Sequence, residues 1–117
     1  MALQRMAIEF GMGTDLHGQD YTKAAQRALR DALWHNSLSV AKAFGFDRDD
    51  MIVKVTIAVA QPGQVDSAAV LGILPYGRSS LTVVAGGLDV PHVSGEGKTV
   101  VANAIAAVYL DFPGEGA

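Results

Sequence analysis

The sequence predicts an α+β fold, with a four-stranded mixed sheet in the order β-α-β-α-β-β and helices layered on one face of that sheet. Several segments alternate apolar and polar side chains, as strands with one buried face do. Two other segments carry apolar residues at helical spacing. The 117 residues contain no evident linker, repeat or low-complexity tract, so we expect one domain over residues 1–117.

The first predicted strand covers residues 4–10, where apolar and polar side chains alternate. The side chains expected on its buried face are Met6, Ile8 and Phe10. A loop with three glycines follows, from Gly11 to Asp20, and connects this strand to the first helix.

The first helix is expected to begin after Asp20, whose side chain is a good N-cap. Apolar residues then recur at helical spacing: Tyr21, Ala25, Ala28, Leu29, Ala32 and Leu33. Because most of them are alanines, the helix can lie close to the sheet. Trp34 lies among the basic residues of the other side, so we expect either residues 37–50 or a neighbouring subunit to cover it.

Residues 51–60 form the clearest predicted strand, since every second side chain is apolar. A Pro-Gly pair ends this strand. Asp66 can cap a short helix that ends near Gly72, and residues 79–86 are rich in β-forming residues and predict the third strand.

Residues 99–112 fit two interpretations. Their alanines favour a helix, whereas alternate residues also form one wholly apolar strand face. We favour a strand, because it can pair with residues 79–86 and complete the sheet. The second face of the sheet would then carry small and mixed side chains: Ala7, Thr56, Ala58, Ala60, Asn103, Ala107 and Tyr109. Such a surface is too apolar for open water, so we expect the same face of other subunits to cover it.

Composition narrows the class of protein. Half of the residues are hydrophobic and the mean hydropathy is +0.23, which is more apolar surface than a small monomer easily buries. The net charge of −3 argues against binding to nucleic acid. The absence of cysteine excludes disulfides and thiolate zinc sites. No apolar run is long enough to cross a bilayer and the start does not resemble a signal peptide, so we expect no membrane partner and a cytoplasmic location.

The loop from Gly11 to Asp20 contains the first candidate site residues. Asp15 and His17 combine a carboxylate with an imidazole, a pair suited to acid–base catalysis. Asp20 lies at a helix N-terminus, where free N–H groups attract anions. The alternative is a structural loop whose carboxylates cap and hydrogen bond. The spacing matches no established ligand pattern, so we expect no metal and no cofactor.

Further candidates lie beside the third predicted strand. Arg78 offers a planar guanidinium that suits a carboxylate or an imide-like carbonyl, and Ser79 adds a hydroxyl. The alternative for these two residues is an exposed turn. His92 follows in the connection to the last strand.

The segments GMGTDLHGQDYTKAA and VVAGGLDVPH resemble a small family of bacterial conserved hypothetical proteins. The resemblance covers nearly the whole chain, and DLHGQD is its most specific part. More distantly, the same segments are similar to one repeat of the ring-opening amidohydrolases, the family of cyanuric acid hydrolase and barbiturase. Those enzymes join three similar domains around a pseudo-threefold axis, with the substrate at the centre. The resemblance therefore implies that this chain assembles as a homotrimer.

The same resemblance implies roles for single residues. Lys23 stands in the place of the substrate-binding Arg of the repeats. The place of their Lys falls near Gly11 or Met12, and the place of their Ser falls at Ala85. Glycine and methionine have no amine to replace the Lys, and alanine has no hydroxyl to replace the Ser. The resemblance thus implies a binding site without that catalytic machinery.

Three functional hypotheses follow. The leading one is a homotrimer that binds a small polar or anionic molecule between subunits, through Asp20, Lys23, Arg78, Ser79 and His92. The second is a hydrolase acting on a small cyclic amide or imide, with His17 and Asp15 as the acid–base groups. The third is a purely structural oligomer.

Overall fold

The computed structural model describes residues 2–34, 39–74 and 77–113. Its elements, in chain order, are β1 (Ala2–Asp15), α1 (Tyr21–Trp34), α2 (Ser39–Ala43), β2 (Ile52–Val59), α3 (Ser67–Leu71), β3 (Arg78–Ala85), β4 (Leu88–Pro91) and β5 (Lys98–Phe112). Short 3-10 turns cover Arg48–Asp50 and Pro62–Gln64. The predicted α+β class is confirmed.

Within the residues that the structure describes, the sheet has five strands rather than the four predicted. Its order is β1-β5-β2-β3, and β4 pairs with β5 beyond the end of β2. β5 is antiparallel to its neighbours, whereas β2 and β3 are parallel. The prediction missed β4 because its four residues lie inside a glycine-rich connection.

The last segment is a strand, as predicted, but its expected pairing with residues 79–86 is wrong. β5 lies between β1 and β2, and β3 pairs only with β2 among the described strands. The central position suits β5, because its helix-facing side chains are wholly apolar and fully buried from Val100 to Leu110. β3 follows β2 through α3, the crossover connection that a parallel pair requires.

Helix α1 packs on β1, β5 and β2, and α3 packs beside it against β3. The buried side chains of α1 are those of Tyr21, Ala24, Ala25, Ala28, Leu29 and Ala32. The approach to β1 is close enough that a Cβ on Gly11 or Gly13 would lie 2.2 Å from backbone atoms of Ala28. The alanines of the helix and the glycines of the strand together permit this contact.

The predicted buried face of β1 is right for Met6, which packs against the core, and wrong for Ile8 and Phe10. Phe10 is 62% exposed, and the helix lies against Gly11 and Gly13 instead. A register shift between Arg5 and Ala7 changes the alternation near the start of the strand. From Ile8 onwards, the large apolar side chains of β1 therefore lie on the side of the sheet away from the helices.

We call that side the open face. By register it carries Thr56, Ala58, Asn103, Ala107 and Tyr109, as predicted. The prediction is wrong for Ala7, which lies on the helix side opposite Val108, and for Ala60, which packs against the core. The molecule is correspondingly long and thin, with extents of 64 × 22 × 18 Å. Its radius of gyration of 16.2 Å exceeds the roughly 13 Å of a compact domain of this length.

Trp34 is 85% exposed at the end of α1. Residues 39–50, the described part of the segment predicted to cover Trp34, therefore leave its side chain exposed. The alternative, a neighbouring subunit, stays a prediction.

Candidate functional site

One edge of the sheet concentrates the candidate residues. Strands β1, β2 and β3 run in the same direction and all end there. Helix α1 begins at this edge, and the turn between β4 and β5 lies beside it. We call it the carboxyl edge, and functional groups collect at such edges in α/β proteins because loops leave the strands there.

Asp15 is buried at the end of β1, and both of its carboxylate oxygens have partners. Oδ2 accepts a hydrogen bond from the backbone N–H of Asp20 at 2.8 Å, and Oδ1 lies 3.4 Å from Nη1 of Arg27. The N–H of Asp20 chiefly lowers the pKa of Asp15, burial opposes this by raising it, and Arg27 lowers it further. A carboxylate stabilised in this way is a poor general base at neutral pH.

Asp20 caps α1, as predicted. Its Oδ1 accepts a hydrogen bond from the backbone N–H of Lys23 at 3.0 Å. The side chain of Lys23 is exposed one turn into the helix, on the same edge. The capping interpretation of the loop carboxylates thus accounts for Asp15 and Asp20, while Lys23 remains accessible to a ligand.

His92 joins two loops. Its Nε2 lies 2.9 Å from the carbonyl oxygen of Leu16, and its Nδ1 lies 3.1 Å from the carbonyl oxygen of Glu96. His17 stands against it edge to face, with the ring centroids 5.8 Å apart. The ring contact of His17 is therefore with His92 rather than with the carboxylate of Asp15. His92 acts as a clamp, and His17 is the more exposed of the two.

Arg78 and Ser79 lie at the other end of the sheet. They begin β3 opposite Ile52 and Val53, the first residues of β2. The eight residues of β3 span roughly 26 Å, so neither side chain reaches the carboxyl edge of its own chain. Within the described residues, the structure brings together Asp15, His17, Asp20, Lys23 and His92, and it separates Arg78 and Ser79 from them.

Sequence reasoning missed one cluster at the carboxyl edge. Asp89 of β4 accepts a hydrogen bond from the hydroxyl of Tyr21 and lies 3.0 Å from Nζ of Lys98. Lys98 also lies 5.3 Å from the centre of the Tyr21 ring. The three residues come from α1, β4 and β5, so no spacing along the chain could have indicated them.

The charges of this cluster stabilise one another. Burial by itself raises the pKa of Asp89, but the Tyr21 hydroxyl and Lys98 outweigh it and leave that pKa below its ordinary value. The pKa of Lys98 is raised by its hydrogen bonds to Tyr21 and to Asp89. The cluster therefore ties β4 to the first turn of α1.

Within residues 2–34, 39–74 and 77–113, no group of three or more His, Asp or Glu side chains is arranged to hold a metal ion. None of the described helices has the length and apolar character that a membrane span requires.

Comparison with known proteins gives a family but no activity. The model of a family described as "Conserved hypothetical protein (Lin0512_fam)" matches residues 5–109. A solved FtsZ-like protein of unknown function from Nostoc punctiforme is 39% identical, covers 96% of this chain and 99% of its own, and superposes with a TM-score of 0.86. No curated protein matches. These matches give no support to a relation with the ring-opening amidohydrolases, but they confirm the resemblance to conserved hypothetical proteins. This chain belongs to the Lin0512 family of conserved hypothetical proteins.

Proposed function

We propose that this protein is a homotrimer that binds a small polar or anionic molecule where neighbouring copies meet. The observation that carries the proposal is the division of the candidate groups between two ends of one sheet. His17 and Lys23 are exposed at the carboxyl edge, whereas Arg78 and Ser79 are exposed at the opposite end. A site that uses all four side chains therefore requires two copies.

The charges available at the carboxyl edge favour a polar or anionic ligand. Asp15 is engaged by Arg27 and a backbone N–H, and Asp89 is engaged by Lys98 and Tyr21. These carboxylates are neutralised within the chain, whereas the ammonium group of Lys23 is exposed. An Arg from a second copy would add a planar donor for carboxylate or imide oxygens.

Three copies are proposed on the strength of the resemblance to one repeat of enzymes that carry three similar domains. Binding is proposed rather than hydrolysis for two reasons. The Ser and Lys of those enzymes correspond to Ala85 and to Gly11 or Met12. The alternative acid–base pair also lacks support, because Asp15 is bonded elsewhere and has a lowered pKa.

The test combines assembly and binding. Sedimentation velocity gives the mass of the assembly, and thermal unfolding is then measured with barbiturate, cyanurate or inorganic phosphate at increasing concentration. A ligand at about 100 times its Kd should stabilise the folded state by about 2.7 kcal/mol, which raises Tm by several degrees. We expect that shift to be lost in both Lys23→Ala and Arg78→Ala.

Lys42→Ala is the matched control, since Lys42 is an exposed lysine on α2. The control should keep the full shift in Tm. A monomeric wild-type protein, or a ligand shift that survives both Lys23→Ala and Arg78→Ala, would contradict the proposal.

A further inference from the structure

The open face is divided into two halves of different chemistry. Toward the carboxyl edge, from the level of Phe10 onwards, the positions that face outward on β1, β5, β2, β3 and β4 are all uncharged. We call this region the uncharged half. Toward the other end the same face carries Arg5, Lys54, Arg78 and Asp111.

Large apolar side chains are exposed on the uncharged half. The exposed fractions are 62% for Phe10, 57% for Met12, 59% for Leu88, 42% for Val90 and 40% for Val84. They come from three strands, β1, β3 and β4, and the outward positions of β5 and β2 that lie between them are also uncharged. Contiguous apolar patches of this kind mark interaction surfaces in soluble proteins.

The absence of charge on these positions matters for the identity of the partner. Near a rotation axis that passes through an interface, a residue of one copy lies close to the same residue of the next copy. A charged side chain near the axis would therefore meet like charges and lose its hydration. The uncharged half satisfies this condition, whereas a contact centred on Arg5, Lys54 and Arg78 would bring cations together.

The dimensions also suit contact between copies. Four strands across and about seven residues along give roughly 19 by 23 Å, or on the order of 400 Å² of flat sheet. A standard interface buries about 800 Å² on each partner, with an apolar centre and a polar rim. The uncharged half supplies the centre, and the polar residues around it can supply the rim.

We infer that the uncharged half of the open face is the surface through which copies of this chain pack on one another. The inference rests on the oligomer of the proposed function and names the contact that forms it. It also explains why Phe10 and Met12 face away from α1: the glycines of β1 face the helix, and the apolar side chains of the strand face the partner copy.

The chain contains no cysteine, so a single introduced thiol reports on one position. In Met12→Cys a short bis-maleimide should link copies efficiently, because Met12 is an exposed side chain of the uncharged half, midway along its length on strand β1. Lys42→Cys is the matched control, since Lys42 is exposed on α2, on the helix side of the sheet. Linkage at Met12 without linkage at Lys42 is the expected result.

Charge substitutions test the same surface by affinity. Phe10→Lys should weaken self-association at least about tenfold by sedimentation, because a buried unpaired charge is costly. Ala43→Lys, which adds the same charge at an exposed position of α2, should leave self-association unchanged. Circular dichroism is the check on folding. Should Phe10→Lys fail to fold, Leu88→Lys on β4 tests the same surface from another strand. Dissociation by Ala43→Lys together with intact Phe10→Lys and Leu88→Lys oligomers would overturn the inference.

The outcomes separate this inference from the proposed function. A monomeric wild-type protein overturns both. An oligomer that is not linked through Met12→Cys, and that survives Phe10→Lys and Leu88→Lys, overturns only the assignment of the surface.

Discussion

Asp15 illustrates how a candidate catalytic residue becomes part of the framework. The sequence placed it beside His17 in a glycine-containing loop, which suggested acid–base chemistry. The chain then turns back so that the N–H of Asp20 reaches the carboxylate, with Gln19 in the left-handed region at a φ of 53°. Gly18 has no side chain here, and a Cβ would lie 2.7 Å from Oδ2 of Asp15.

The lowered pKa of Asp15 predicts a pH-dependent contribution to stability. The folded-state pKa lies below the ordinary value of 3.8, so the contribution is complete above that value and is lost as pH falls through the folded pKa. Asp15→Asn should cost roughly 1–3 kcal/mol at pH 7, in the range of a hydrogen bond to a charged group. In urea unfolding, this difference from wild type should shrink below pH 4.

A difference between wild type and Asp15→Asn that stays constant from pH 7 down to pH 3 would contradict this account. The comparison isolates Asp15 because Asp89, whose pKa is also lowered, is present in both proteins.

His92 and His17 provide a matched pair of histidines. His92 holds the loop after β1 against the β4–β5 turn through two carbonyl oxygens, whereas His17 contributes only an exposed ring contact. His92→Ala should lower the free energy of unfolding by about 1–2 kcal/mol. His17→Ala should lower it by less than about 0.5 kcal/mol. Equal losses in urea unfolding would show that His92 is not a clamp.

At the scale of the elements, the contact between α1 and β1 depends on missing side chains. A Cβ on Gly13 would lie 2.2 Å from the backbone nitrogen of Ala28, and a backbone atom cannot rotate away. Gly13→Ala should therefore force the helix off the strand and cost at least about 2 kcal/mol.

Gly63→Ala is the matched control for this prediction. A Cβ there meets nothing within 4 Å, so we expect a change within about 0.5 kcal/mol by thermal or urea unfolding. A Gly13→Ala protein as stable as the Gly63→Ala protein would mean that the helix is free to move on the sheet.

The sequence predicts that β5 is a strand, but not which strands it pairs with. Its alanines have high helix propensity, yet alternate burial along Lys98–Phe112 makes it a strand. The wholly apolar alternate positions allowed that prediction. The neighbours of β5 could not be predicted in the same way, because pairing depends on residues far apart in the chain.

At the scale of the whole molecule, the shape raises the question of assembly. One sheet with helices on one side leaves a long open face, and the radius of gyration of 16.2 Å reflects this. Sedimentation and cross-linking report what covers the open face. Ligand binding through both Lys23 and Arg78 also depends on assembly, because these residues lie at opposite ends of the sheet.

Four of the five described strands, the α+β class, the start of the helix after Asp20 and the resemblance to a conserved hypothetical family could all be predicted from the order of residues. These features depend on local patterns of side chains, which are visible along the chain. The place of β5 between β1 and β2, the outward direction of Phe10, and the contacts of Asp89 with Tyr21 and Lys98 required the folded molecule. Those features depend on contacts between distant segments. For Phe10, the close approach of α1 to Gly11 and Gly13 outweighs the local alternation of the strand.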